Sequence, residues 1–157
     1  MGLGQGEVRT LIKRMKENAL ILIQPDGCRL SKKGEREFAK LNQKIPWSSS
    51  VEASSLGIGD KCAAVLVRGA GRNVRKGIEQ RDAAVRVGAN GAFTAVFSKG
   101  RFTIPGEGTD CEKEGPRGLW SAARSAGPRE GDVLIVVGAL SEDEAELGAL
   151  AAALTLF

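Results

Sequence analysis

The 157-residue chain (16.5 kDa) is 42% apolar and 27% charged, the composition of a folded protein long enough to bury a core. It contains no histidine and no tyrosine, which excludes serine-histidine triads, imidazole bases, histidine-ligated metals and phenolic acids within the chain. The net charge of +4 sits in the first third: residues 1–46 carry ten Lys or Arg against five Asp or Glu, whereas 47–157 are close to neutral.

From Glu7, the apolar residues Val8, Leu11, Ile12, Met15 and Ala19 recur at helical spacing and put one stripe on an amphipathic helix, with Gly4 and Gly6 as turn residues before it. Leu20 to Gln24 has strand composition, Pro25-Asp26-Gly27 is a turn signal and Cys28 to Leu30 returns, which predicts a hairpin. Ser31 is placed as the N-cap of a second helix with the stripe Gly34, Phe38, Leu41 and Ile45. Pro46 and the Ser- and Gly-containing stretch after it break the pattern. Residues 1–46 are therefore expected to form a first domain, 47–60 a linker and 61–157 a second domain.

Cys62 to Val67 is a continuous apolar run and reads as a buried strand, followed by the turn Gly69-Ala70-Gly71 and a helix over Arg72 to Gly88. Asn90-Gly91 turns into a strand through Phe93, Ala95 and Phe97, and Lys99-Gly100 closes a hairpin onto Arg101 to Ile104. Residues 105–118 read as a mobile loop, Leu119 to Ala126 as a short helix and Val133 to Val137 as another buried strand. A capping box, Ser141 with Glu144, opens a terminal helix over Ala145 to Leu156. The expected fold class is α+β: a partial winged helix-turn-helix followed by a two-layer α+β sandwich, ferredoxin-like or related. The two apolar strands lack polar alternate positions, so the second face of the sheet is expected to be covered by the first domain, a ligand or a second copy of the chain. A homodimer through that face is favoured over one through the small-residue terminal helix.

The three cysteines, Cys28, Cys62 and Cys111, are far apart and form no C-x-x-C pair, which predicts reduced thiols, no zinc site and a soluble cytoplasmic protein. No charge-free stretch is long enough to span a membrane, and no metal ligand, cofactor or catalytic residue is assigned. Cys111 has no histidine to activate it and is treated as incidental.

The helix-hairpin-helix order of the first domain is that of the second half of a winged helix-turn-helix, whose recognition helix enters the major groove. Gln5, Arg9, Thr10, Lys13 and Lys16 are accordingly the candidate contacts to double-stranded DNA on the helix, and Arg29, Lys32 and Lys33 those on or beside the wing. A solvated charged helix face is the plain alternative.

In the second domain, helical projection puts Arg81 in the middle of the apolar stripe Val74, Gly77, Ile78, Ala84, Val85 and Gly88. A guanidinium there needs a carboxylate such as Asp82 or Glu79, a backbone carbonyl or an anionic ligand. Arg68, Arg72 and Asn73 surround Gly69 and Gly71 where the strand enters the helix, so two guanidinium groups and free amides are available to a phosphate or carboxylate. The pattern is neither G-x-G-x-x-G nor a P-loop, and an ordinary tight turn explains it as well. The candidate set for a small anionic ligand is Arg68, Arg72, Asn73, Gln80, Arg81 and Asp82. An enzyme would have only Lys76, Glu79, Arg81 and Asp82 as clustered polar groups, which make no complete constellation. The RNA-recognition signature matches at Gly91 and Phe97 alone and is rejected.

Gly4 to Arg14 and Leu30-Ser31-Lys32-Lys33-Gly34 resemble the recognition-helix and post-wing segments of many prokaryotic winged-helix regulators. With Gly77 to Ala84 and Glu130-Gly131-Asp132-Val133 added, the chain is similar over essentially its whole length to an uncharacterised archaeal family in which a winged helix precedes a C-terminal domain of unassigned function. The resemblance implies a transcriptional regulator with a ligand-sensing or dimerisation domain, and the two helices that precede the recognition helix in that family are expected to be missing here. The rival expectations are a small enzyme or anion- or nucleotide-binding protein acting through the Arg72 to Gly88 helix, and a protein-interaction module.

Overall fold

In the computed structural model, which describes residues 4–157, the chain divides between Gln43 and Lys44 into two compact units. The first holds helix α1 (Gln5–Glu17), strands β1 (Ile21–Gln24) and β2 (Gly27–Leu30), and helix α2 (Lys32–Lys44), which runs one residue past the division. β1 and β2 pair antiparallel with Gln24 opposite Gly27, so Pro25 and Asp26 form a two-residue hairpin turn. Ser31 caps α2 as expected: its hydroxyl accepts from the Gly34 amide at 3.0 Å and donates to the Ala19 carbonyl at 2.6 Å. Gly34 has a steric reason, because a Cβ there would lie 2.0 Å from the Leu20 carbonyl oxygen. The Leu-Ser-Lys-Lys-Gly segment is thus a packing device that locks α2 onto the start of the hairpin.

The second unit contains β3 (Trp47–Val51), β4 (Lys61–Val67), α3 (Ile78–Arg86), β5 (Gly91–Ser98), β6 (Arg101–Thr103), α4 (Arg117–Ser125), β7 (Val133–Ala139) and α5 (Glu142–Leu154). Its strands form one antiparallel sheet in the order β3-β4-β7-β5-β6. β4 and β5 run the same way with β7 reversed between them, a split β-α-β arrangement. The Ser141 and Glu144 capping box opens α5.

Alternate residues of the central strands feed two cores. Val65, Val67, Val133, Ile135 and Val137 pack with the alanines of α5 and with Ala84 of α3. Ala64, Leu66, Leu134 and Val136 pack on the opposite face with Leu119, Trp120 and Ala123 of α4 and with Phe97 and Phe102. Phe102 lies 5.0 Å from Phe97 and 5.9 Å from Trp120, centroid to centroid. The expected two-layer sandwich is therefore corrected to three layers. The short α4 covers the face that was assigned to a ligand, the first domain or a second copy.

Three further expectations change. The segment 47–60 supplies edge strand β3 and a single 3-10 turn (Ser54–Leu56) rather than a linker. The helix expected over 72–88 is a 3-10 turn (Gly71–Asn73) followed by α3, because Gly77 adopts φ +78 and restarts the chain there. The 105–118 loop is pinned at Glu112, whose carboxylate accepts from the Phe102 amide (2.8 Å) and from Arg124 (2.7 Å).

A buried carboxylate organises one end of the sheet. Asp132, 2% exposed, accepts hydrogen bonds from the Arg68 guanidinium and from the amides of Gly69 (2.9 Å) and Arg129 (2.8 Å). Asp132→Ala strands these donors and is expected to lower stability by about 3 kcal/mol, the scale for breaking a buried pair, as read by urea unfolding. A loss below about 1 kcal/mol would contradict this role.

Burial, and then the charges of Asp110 and Glu112, push the Cys111 thiol from 9.0 up to about 11, and burial also raises Cys62. The folded chain thus keeps a proton on Cys111 that the unfolded chain releases. That contribution to stability is present below pH 9 and is lost as the pH rises to about 11. Iodoacetamide on the native protein at neutral pH is expected to modify the exposed Cys28 first, with Cys111 reacting only as the pH climbs; equal labelling of all three cysteines would contradict it.

Candidate functional site

Two regions carry the chemistry proposed from sequence, one on each unit. On α1, Gln5, Arg9, Thr10, Lys13 and Lys16 are all exposed and lie within an arc away from Val8, Leu11, Ile12 and Met15. The Thr10 hydroxyl donates to the Gly6 carbonyl at 2.9 Å, and Lys13 lies 3.9 Å from Glu17. At the hairpin tip Arg29 pairs with Asp26 at 2.6 Å, while the Lys33 ammonium donates to the Asn18 carbonyl at 2.9 Å and secures the end of α1. Lys32 is exposed at the start of α2. All eight predicted nucleic-acid contacts are thus accessible on one small helix-hairpin-helix unit. Within residues 4–43 only Ile21 and Gly34 are buried, and Val8, Leu11, Phe38 and Leu41 remain exposed.

The six residues predicted for a small anion are not brought together. Arg68 is held by Asp132 and by the Gly127 carbonyl (3.0 Å), a structural duty. Asn73 donates to the Leu156 carbonyl at 2.8 Å, and Gln80 donates to the Thr155 hydroxyl at 2.8 Å, so both fasten the end of α5. Arg81 is 54% exposed and pairs with Asp82 at 2.9 Å. Its expected place in the buried stripe is a correction: with the helix beginning at Ile78, the buried positions of α3 are Gln80 and Ala84, while Ile78 and Val85 face outward.

Arg72 borders an open recess of about 410 Å³ with Gly69, Gly71, Ser98 and Glu130. The Glu130 carboxylate accepts from the Ser98 hydroxyl and the Lys99 amide, both at 2.9 Å, and puts a negative charge where an anion would have to sit. The Gly-rich turn expected to hold a phosphate is therefore electrostatically poor for one.

A second cleft, of about 230 Å³, lies at the start of α3. Lys76, Gly77, Ile78 and Arg81 form one wall, Ala92, Phe93 and Thr94 of β5 the floor, and Ile104 with Pro105 the far side. β6 ends at Thr103, opposite Val96, which leaves this part of β5 without a strand partner on that edge. Thr94 is 7% exposed, and its hydroxyl has no hydrogen-bond partner. Gly77 caps α3 with no side-chain hydrogen bond; a Cβ on it would stand 3.0 Å from the Thr94 Cβ and 3.1 Å from Oγ1. Sequence reasoning found Lys76 and Arg81 but not Thr94, since a β-branched residue in mid-strand is ordinary core material.

Among the described residues, no cluster of Cys, Asp and Glu is arranged to hold a metal, and no helix is long and apolar enough to cross a membrane. No curated protein matches the chain. Among solved structures it is similar to the hypothetical protein PH0730 from Pyrococcus horikoshii OT3, at 24% identity and a TM-score of 0.75, over 98% of this chain and 78% of that one. That likeness supports the fold. Residues 58–156 match the model described as Domain of unknown function (DUF4443), and the chain belongs to that family.

Proposed function

We propose that the chain is a cytoplasmic transcriptional regulator whose first unit binds double-stranded DNA and whose second unit senses a small ligand and dimerises. The observation that carries the reading is the helix-hairpin-helix unit with its cationic arc on α1 left wholly to solvent. Arg9, Lys13 and Lys16 would meet phosphates along the groove, Gln5 and Thr10 base edges, and Arg29, Lys32 and Lys33 the flanking backbone. The Asp26 partner of Arg29 is exposed, so exchanging it for a phosphate costs little.

For the dimer we propose a different surface from the one expected from sequence, because α4 occupies the second sheet face. On α5 the alanines turn inward and Leu147, Leu150 and Leu154 turn out, 50%, 42% and 57% exposed. Joining two copies through this stripe would cover it and supply the second reading head for a pair of half-sites.

Two measurements test the reading. Fluorescence anisotropy with a DNA duplex should give an affinity that falls with salt at a log-log slope of about −0.9 per phosphate contacted, and Arg9→Ala and Lys13→Ala should each flatten that slope by about 1. A salt-independent signal, or none at low salt, would contradict DNA binding. Light scattering at tens of micromolar protein should return a dimer mass that Leu150→Lys converts to a monomer. A monomer mass for the unsubstituted chain would contradict the dimer.

A further inference from the structure

The cleft at the start of α3 has three features that converge on one kind of ligand. The first turn of this nine-residue helix begins at a glycine that offers no capping side chain. Arg81 is the first residue whose amide reaches back along the helix, to the Gly77 carbonyl at 3.1 Å. The amides of Ile78, Glu79 and Gln80 are thus the unfilled donors at the positive end of the helix. Lys76 and Arg81 add two cations to the same wall, and no Asp or Glu lines the cleft. The third feature is Thr94. A hydroxyl more than nine-tenths buried and without a partner is unfavourable, and here it lies against Gly77, at the helix end, on the floor of the cleft. Gly77 is packed directly on that hydroxyl, since any side chain at this position would press on Thr94.

We propose that this cleft binds a small organic monocarboxylate with an apolar tail. The proposal rests on the reading of the second unit as a ligand-sensing domain. The carboxylate takes the first-turn amides as hydrogen-bond donors, and the Thr94 hydroxyl once a small shift of the Gly77 turn uncovers it, with Lys76 and Arg81 as counter-charges. Arg81 reaches it without abandoning Asp82, because a guanidinium has five donors. The rest of the lining, Ile78, Ala92, Phe93, Ile104 and Pro105, is apolar and covers a tail of a few carbons. An inorganic phosphate would leave that surface wet. The open recess beside Arg72 offers no such set, having Glu130 in its wall.

The test uses the full chain, with 4-methylpentanoate as probe in calorimetric titration and its neutral amide and inorganic phosphate as comparisons. The amide and phosphate should each bind about 10-fold or more weakly than the acid, the scale of one charge-assisted hydrogen bond. Thr94→Val replaces the hydroxyl with a methyl of similar size and should weaken the acid about 5-fold or more while leaving Tm equal or higher, because an unpaired polar group is lost. Lys76→Gln with Arg81→Gln, both at exposed positions, should weaken it about 10-fold and keeps the test decisive if Thr94→Val folds poorly. Amide shifts in NMR should centre on residues 77–80 and 92–94. The proposal is overturned by an absence of binding at millimolar acid, by an amide or phosphate that binds as tightly, or by a double variant that binds like the unsubstituted chain. DNA affinity is measured on the same samples without the acid. Failure of carboxylate binding and failure of the regulator reading are therefore seen separately.

Discussion

Strand β7 is buried at every one of its seven positions, and the rest of the second unit follows from that constraint. A strand with no solvent-facing side must have cover on both faces and a hydrogen-bonded neighbour on both edges. The edges are met by β4 and β5, and the faces by α3 with α5 on one side and α4 with its aromatic neighbours on the other. Asp132, immediately before β7, then fixes how the chain enters it. By taking the Arg68 guanidinium and the amides of Gly69 and Arg129, one carboxylate ties the end of β4 to the start of β7. The Arg68 that looked available to a ligand is committed to this knot.

The same architecture explains where the unit has chemistry to spare. β6 is only three residues long, so the outer edge of β5 is released beyond Val96, and α3 begins over that released edge. Gly77 is what lets the helix start so close to the strand. Its positive φ and its missing Cβ satisfy two demands at once, the change of direction and the approach to Thr94. A helix N-terminus, two cations and a buried hydroxyl then share one small cleft as a consequence of how the sheet ends.

Much of this was legible in the residues, and the losses have identifiable causes. The apolar runs over 62–67 and 133–137 announced strands buried on both faces, and Ser141 with Glu144 announced α5; both readings rest on side-chain chemistry that tertiary packing reinforces. The cover supplied by α4 was missed, because the sequence shows only a short helix after a Gly- and Pro-containing loop and nothing in it says which face that helix seals. Leu119, Trp120 and Ala123 do so through their size and spacing. Trp47 to Val51 seemed a break because three serines lie in it, yet an edge strand tolerates polar residues, and those serines are exposed. Arg81 was misplaced because the projection took the apolar Ile78 and Val85 as facing the core, whereas α3 turns Gln80 and Ala84 inward and leaves those two exposed. Thr94 gave no sign at all, since only the three-dimensional neighbourhood reveals that its hydroxyl is alone.

In the first unit the sequence signal was strongest where a contact demands a particular residue, as at Gly34 beneath Leu20. It was weaker for the cationic arc, whose members are constrained by solvent rather than by packing. That arc is assigned to DNA, and an NMR titration of the whole chain with a short duplex at low salt reads the assignment residue by residue. Amide shifts should concentrate in residues 5–16 and 26–33, with those of the 44–157 unit smaller throughout. Shifts concentrated in the second unit, or none in α1, would contradict it.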